Sequence, residues 1–407
     1  MRLSISSLAI FSMVSMLSMT PALAQPSSMA TRIDAVVDQA ITEHRIVGTV
    51  VLVAYQGRIV YHRAAGLADR EQRRGMSEDT IFRLASMTKP LVSVAALRLV
   101  EQGKICLNDP VTRWLPDFKP RLADGTAPNI TLRQLLTHTA GLSYGFLETE
   151  DGPYRRAKVS DGMDQSGLSL EENLLRIASV PLVYRPGTDW RYSVALDVLG
   201  GVLSAATGQS LPDIVRQQVT DPLRMKDTAF QVVDPARLAT PYQDGQPVPL
   251  KMADQAVVPF NNGAAHFSPG RTFDLNSYPS GGSGMSGTAH DFMRFLLGLR
   301  AGSVVLAPET LAAMMKDQTG PQARTQGPGW GFGYGWAVLD QPGLAQTPQG
   351  EGTIQWGGAY GHNWFFDPVH DLAMVALTNT AFEGMSGAFP RELRDAIYEK
   401  LFAAQRR

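Results

Sequence analysis

Phe82-Arg83-Leu84-Ala85-Ser86-Met87-Thr88-Lys89-Pro90 is the stretch on which the reading of this chain turns. A helical pattern runs from Lys89 to Gln102, so Ser86 stands where a helix opens and Lys89 falls one turn later on the same face. A serine hydroxyl is nearly inert at neutral pH and needs a neighbour to take its proton. A lysine does so only once burial or nearby positive charge has lowered its pKa. The helix start adds free N–H groups for an anion forming beside the serine. Taken alone, S-x-x-K is equally an N-cap serine followed by a solvated lysine, and a chain of 407 residues produces that spacing by chance.

Working outward, strand signals sit at both chain ends and helical signals between them. Val50–Ala54 and Ile59–His62 are short β-branched runs joined through Gln56-Gly57, and Tyr334–Leu339, Thr353–Trp356, Asn363–Phe366 and Leu372–Leu377 form a second set. Ile33, Val36, Val37, Ala40 and Ile41 have helical spacing, as does the end of the chain over about 391–404. Lys89–Gln102, Leu132–His138, Leu170–Ala178, Ala195–Thr207, Leu211–Gln218 and His290–Leu299 are the internal helices expected. Local hairpins pair antiparallel, so the expected fold is α+β: an antiparallel β-sheet built from both chain ends and flanked by helices, with an inserted mostly helical domain. That places a sheet domain over 25–86 and 288–407 and a helical domain over 87–287. The stretches 144–169 and 235–283, the second rich in proline, read as long loops that wall a site or are disordered.

Composition excludes several functions. With 37 Lys+Arg against 38 Asp+Glu and a net charge of −1, the chain lacks the basic excess that nucleic-acid binding requires. Arg2, an apolar run over 8–17 and then Pro21-Ala22-Leu23-Ala24 have the order of a secretory signal over 1–24, with an uncleaved anchor as the alternative. Export to a bacterial periplasm, or secretion, is expected. No later segment is apolar and long enough for a membrane span. The single cysteine, Cys106, cannot form an internal disulfide and reads as a small buried hydrophobe between Ile105 and Leu107. The seven histidines show no H-x-x-H or H-x-x-x-H spacing, so no metal is expected. The glycine groups lack a Walker A lysine or a Rossmann spacing, so no cofactor is expected either.

A second serine competes with Ser86. Gly141-Leu142-Ser143-Tyr144-Gly145 is a literal G-x-S-x-G, but a nucleophile elbow needs a strand before it and a helix after, and Thr131–His138 upstream is helical. His138 reads as a buried helix-end residue rather than a triad base. Tyr192-Ser193-Val194 precedes a helix, with Ser193 a possible cap, and Trp356-Gly357-Gly358-Ala359-Tyr360-Gly361-His362 lies at a strand edge where paired glycines admit a ligand close to backbone.

Phe82–Pro90, Leu135-Leu136-Thr137-His138-Thr139-Ala140-Gly141-Leu142, Tyr192-Ser193-Val194, Gly282–Thr288 and Trp356-Gly357-Gly358 occur in the order and spacing of the serine β-lactamase-like hydrolases. The chain resembles class C β-lactamases and, more closely, the family VIII carboxylesterases of that superfamily. The resemblance implies Ser86 as the acylated nucleophile, Lys89 as its base partner, Tyr192 as a proton shuttle, and the backbone N–H groups of Ser86 and Ala359 as an oxyanion hole. Tyr144, Val194, Trp356, Gly357, Gly358, Tyr360 and His362 are the expected substrate-binding walls.

Departures from the β-lactamase pattern point to esters. Class C enzymes carry Tyr-x-Asn and Lys-Thr-Gly where this chain has Tyr192-Ser193-Val194 and Trp356-Gly357-Gly358, so an amide and a cation are absent and a drier, less charged pocket is expected. The expected activity is hydrolysis of short-to-medium acyl esters through an acyl-enzyme, with weak β-lactam hydrolysis retained. A β-lactamase or D-amino-acid peptidase, an acyltransferase, and a non-catalytic cell-wall binding protein are the alternatives. A small-molecule ester is the expected partner, and both monomer and homodimer fit.

Overall fold

The computed structural model describes residues 28–399 except 165, 166, 303, 304 and 324. The expected signal over 1–24 and the last residues of the expected terminal helix lie outside the described residues. Eight strands form one antiparallel sheet: β1 (Gly48–Tyr55), β2 (Arg58–Asp69), β3 (Arg74–Gly75), β4 (Trp330–Phe332), β5 (Ala337–Leu339), β6 (Ile354–Gly358), β7 (His362–Asp367) and β8 (Leu372–Thr378). Their spatial order is β4-β5-β6-β7-β8-β1-β2-β3, so β1 from the first part of the chain pairs with β8 from the last, Val53 opposite Met374. The expected α+β fold, with its sheet assembled from both ends, is the one observed.

Local chemistry explains the strand ends. Gln56 and Gly57 both have positive φ, at 50° and 76°, as a two-residue hairpin matching the strands' twist demands. Tyr334–Leu339, expected as one strand, is split. Gly335 at φ 107° turns the chain over a helix, where an added Cβ would lie 2.5 Å from the Ser93 hydroxyl, and only Ala337–Leu339 pairs. Aromatic content in Tyr334–Trp336, running into Val338, suggested one strand; a close approach of backbone to helix overrode it.

Each sheet face is covered. Helix α1 (Met29–Thr42) and the C-terminal helix Ala388–Tyr398 bring Ile33, Val37, Phe389 and Leu393 onto Val51, Val53 and Met374. Burying such side chains contributes roughly 1.5–3 kcal/mol each. The other face carries Val50, Leu52 and Val375 into the main core, together with α2 (Thr88–Glu101), α3 (Ala195–Thr207) and α4 (Ala289–Ala301). The expected internal helices are present within a residue or two, except Leu211–Gln218, whose α-helix is Leu211–Val215 and continues as a π turn to Thr220. The stretch 235–283 is not all loop: Ala256–Phe260 and Gly263–Phe267 pair as a hairpin. Cys106 is exposed, contrary to expectation, and Ile105 beside it is the buried residue. Among the described residues no helix is long and apolar enough to cross a membrane.

Candidate active site

Ser86 is held by a short, sharp connection. Phe82–Arg83 pairs with Ser286–Gly287, the Leu84 N–H donates to the Met285 carbonyl at 2.8 Å, and Ala85 then takes φ 45°. That left-handed alanine costs about 1–2 kcal/mol, a cost characteristic of backbone over-determined at a functional turn. Ser86 lies in the 3₁₀ turn Ala85–Met87, and α2 follows at once. It is not an N-cap, since the helix start has no side-chain cap.

Lys89, fully buried, reaches back so that Nζ lies 3.2 Å from Ser86 Oγ and donates to the Gly282 carbonyl at 2.8 Å. Tyr192, before α3, donates its hydroxyl to Ser86 Oγ at 2.8 Å and receives the Trp356 indole N–H at 3.3 Å. The Lys89 ammonium position sits 4.5 Å from the Tyr192 ring centroid and 5.2 Å from that of Tyr144. Burial lowers the Lys89 pKa to about 7, against the pull of the Asp197 and Asp161 carboxylates. Burial raises Asp197 and Tyr192, with the positive charge of Lys89 opposing the first shift and the hydrogen bond to Ser86 opposing the second. Ser86 therefore faces an amine that can be neutral near pH 7 and a phenol that keeps its proton.

Gly282 makes this crowding possible. A Cβ there would lie 2.8 Å from the Tyr144 hydroxyl, 2.9 Å from Asp197 Oδ2 and 3.5 Å from Lys89 Nζ, so only glycine lets the three groups converge. The role of Gly282 and Asp197 escapes local sequence patterns, although the Gly282–Thr288 motif marked the segment. Gly358 has a parallel duty: its Cβ would meet the Leu84 carbonyl at 2.4 Å, so a side chain there would push strand β6 and Ala359 away from the Ser86 turn.

Ser86 and Tyr192 open into a pocket of about 590 Å³ whose aromatic wall is Phe146, Trp190, Phe260, Trp356 and Phe382. Of the expected walls, Trp356 and Gly357 line it, as does Ala359. The others do not. Tyr144 is buried beneath Lys89 and stacks on Phe146, Val194 is wholly buried, and Gly358 packs on the turn. His362 is buried with Nε2 2.7 Å from the Arg83 carbonyl. Tyr360 faces a separate cavity of about 470 Å³ beside Arg83 and Arg271. Alternation along a strand and the run of glycines did not reveal which side of β6 the pocket takes. Nor is the pocket free of positive charge, because Arg391 and Arg394 from the C-terminal helix also line it.

The competing serine is occupied elsewhere. Ser143 is fully buried, its Oγ accepts from Arg191 Nε at 2.8 Å, and its N–H donates to the Tyr154 hydroxyl at 2.9 Å. His138 is buried at the end of its helix with φ 55°, and Nδ1 lies 3.1 Å from the Ser193 hydroxyl, which is thereby not a cap for α3.

This sheet, with S-x-x-K at the head of a buried helix and a tyrosine closing on the serine, defines a serine hydrolase of the β-lactamase-like class. The chain belongs to the beta-lactamase family, whose profile matches residues 33–399, and within it stands with the family VIII esterases. It is 54% identical over 378 residues to Esterase EstB of Burkholderia gladioli, covering 92% of this chain and 96% of that one. The solved structure of EstCE1, described as a hydrolase with promiscuous acyltransferase activity, superposes with a TM-score of 0.89 at 48% identity, over 91% of this chain and 98% of that one. Lovastatin esterase of Penicillium rubens is 29% identical over 84% of this chain and 91% of its own length.

Proposed function

We propose that this protein is a serine carboxylesterase working through an acyl-enzyme. The observation that carries the reading is Ser86 Oγ lying within 3.2 Å of a buried lysine and 2.8 Å of a tyrosine hydroxyl at an aromatic pocket. Neutral Lys89 accepts the serine proton as Oγ attacks the ester carbonyl, and the oxyanion forms between the Ser86 and Ala359 N–H groups. Tyr192 delivers a proton to the departing alkoxide and is restored from Lys89. Water then enters, loses a proton to the same network and releases the acid. The relatives named esterases support the ester reading, and so does Trp356, which fills the position of a lysine in class C enzymes and anchors Tyr192 instead.

A panel of p-nitrophenyl esters from acetate to octanoate, run beside nitrocefin, tests this. The best ester should exceed nitrocefin in kcat/KM by at least about 100-fold, equivalent to roughly 2.7 kcal/mol of transition-state preference; equal turnover of nitrocefin would reject the ester assignment. EstCE1's description favours a second use of the same intermediate, transfer to an alcohol in place of water. Adding methanol to the panel should then yield methyl ester beside free acid.

Export is part of the proposal, supported by the charge, apolar run and Ala-Leu-Ala order over residues 1–24. N-terminal sequencing of the protein recovered from a bacterial periplasm or medium should begin at Gln25; an intact Met1 there would overturn signal cleavage.

A further inference from the structure

His62, Glu78 and His290 come from three separate segments and meet outside the pocket that holds Ser86. His62 lies on β2 opposite Leu52, so alternation turns it to the sheet face covered by α4. His290 is in the first turn of α4, whose start is fixed by the Thr288 hydroxyl accepting the Asp291 N–H. Glu78 sits in the turn Ser77–Thr80, closed by a 3.0 Å bond from the Thr80 N–H to the Ser77 carbonyl. One side-chain N or O atom from each of the three lies within 4.8 Å of the other two.

Two further observations bear on what this cluster does. The His62 and His290 rings stand edge to face with centroids 4.4 Å apart, beside the Glu78 carboxylate. Two imidazoles thus crowd one carboxylate in a way that a simple ion pair does not require. His62 Nδ1 lies 3.2 Å from Glu78 Oε2. Ligands at about 2.0–2.2 Å from a tetrahedral zinc ion are themselves roughly 3.3 Å apart, so this pair already has the spacing of two neighbouring ligands, and a ring nitrogen of His290 lies within 4.8 Å of both.

We propose that His62, Glu78 and His290 bind one zinc(II) ion, with water completing the shell. Two imidazoles and one carboxylate are a borderline-hard donor set suited to zinc. All three come from elements already fixed by the fold, so the ion would tie β2, the Ser77–Thr80 turn and α4 together. Spacing rules in the sequence miss such a site because they search one segment at a time, and these ligands stand at 62, 78 and 290.

Zinc chloride titrated calorimetrically into the full chain should bind at one ion per chain and raise the unfolding temperature. His62→Ala and His290→Ala should each weaken binding by at least about ten-fold, the lower end of what even outer-shell changes cost a metal site, while leaving metal-free ester hydrolysis unchanged. No binding to the unmodified protein at about 100 µM zinc, far weaker than ordinary structural sites, overturns the proposal, as does wild-type affinity in either variant. If a variant does not fold, cobalt(II) added to the unmodified protein decides: visible bands of a tetrahedral N/O site support the assignment, and their absence refutes it.

Discussion

Ser86→Ala should abolish ester hydrolysis, lowering kcat/KM by at least about 1,000-fold and as much as roughly a million-fold, the range seen when a nucleophile of a coupled hydrolase network is removed. The fold should survive. Ser86 is only partly buried, and its removal leaves Lys89 bonded to the Gly282 carbonyl and Tyr192 bonded to the Trp356 indole. Thermal unfolding should therefore stay within a few degrees of the parent, which separates lost chemistry from lost structure. Mass spectrometry after a fluorophosphonate supplies the complementary reading: one adduct on Ser86 in the parent and none in the variant. An adduct on Ser143 instead, or activity within ten-fold of the parent, would remove Ser86 from the reaction.

Lys89→Met should cost about 100- to 10,000-fold in kcat/KM, the usual contribution of a positioned general base. Methionine keeps the buried volume and removes only the amine, so the test bears on proton transfer more than on packing. The pH profile carries the sharper expectation. Burial lowers the Lys89 pKa to about 7, and the amine is a base only when neutral. Activity in the parent should thus rise as pH increases through about 7, with the acid limb well below a free lysine's range. Tyr192 titrates above its ordinary value and leaves the neutral range untouched. The methionine variant should lose the limb along with the rate. A parent limb near pH 10 would show that Lys89 stays charged at neutral pH, and an unchanged limb in the variant would show that another group sets it.

The site was unevenly legible. Ser86 and Lys89 are neighbours because three residues along a helix is one turn, a relation set by backbone geometry and readable from spacing. Tyr192 was found through motif order. Asp197, Gly282 and Trp356's bond to Tyr192 were not legible, since each depends on a partner far along the chain; Gly282 is 193 positions from the lysine it receives. The pocket walls failed for a related reason. Which face of a strand is solvent and which is core depends on what packs against it, so Tyr360 and His362, adjacent to true pocket residues in sequence, turn into other surroundings.

What residues settle among near neighbours could be read directly: the β1–β2 hairpin from Gln56-Gly57, the helical stripe of Ile33, Val37 and Ala40, and the one-turn spacing of Ser86 and Lys89. Period and turn propensity act over a few residues and leave their mark in the order of side chains. Burial does not act locally. The depth that lowers the Lys89 pKa, the turn that breaks Tyr334–Leu339, the exposure of Cys106 and the meeting of His62, Glu78 and His290 were decided by packing. Desolvation is the sum over every group that excludes water from a point, and those groups are gathered from across the whole chain.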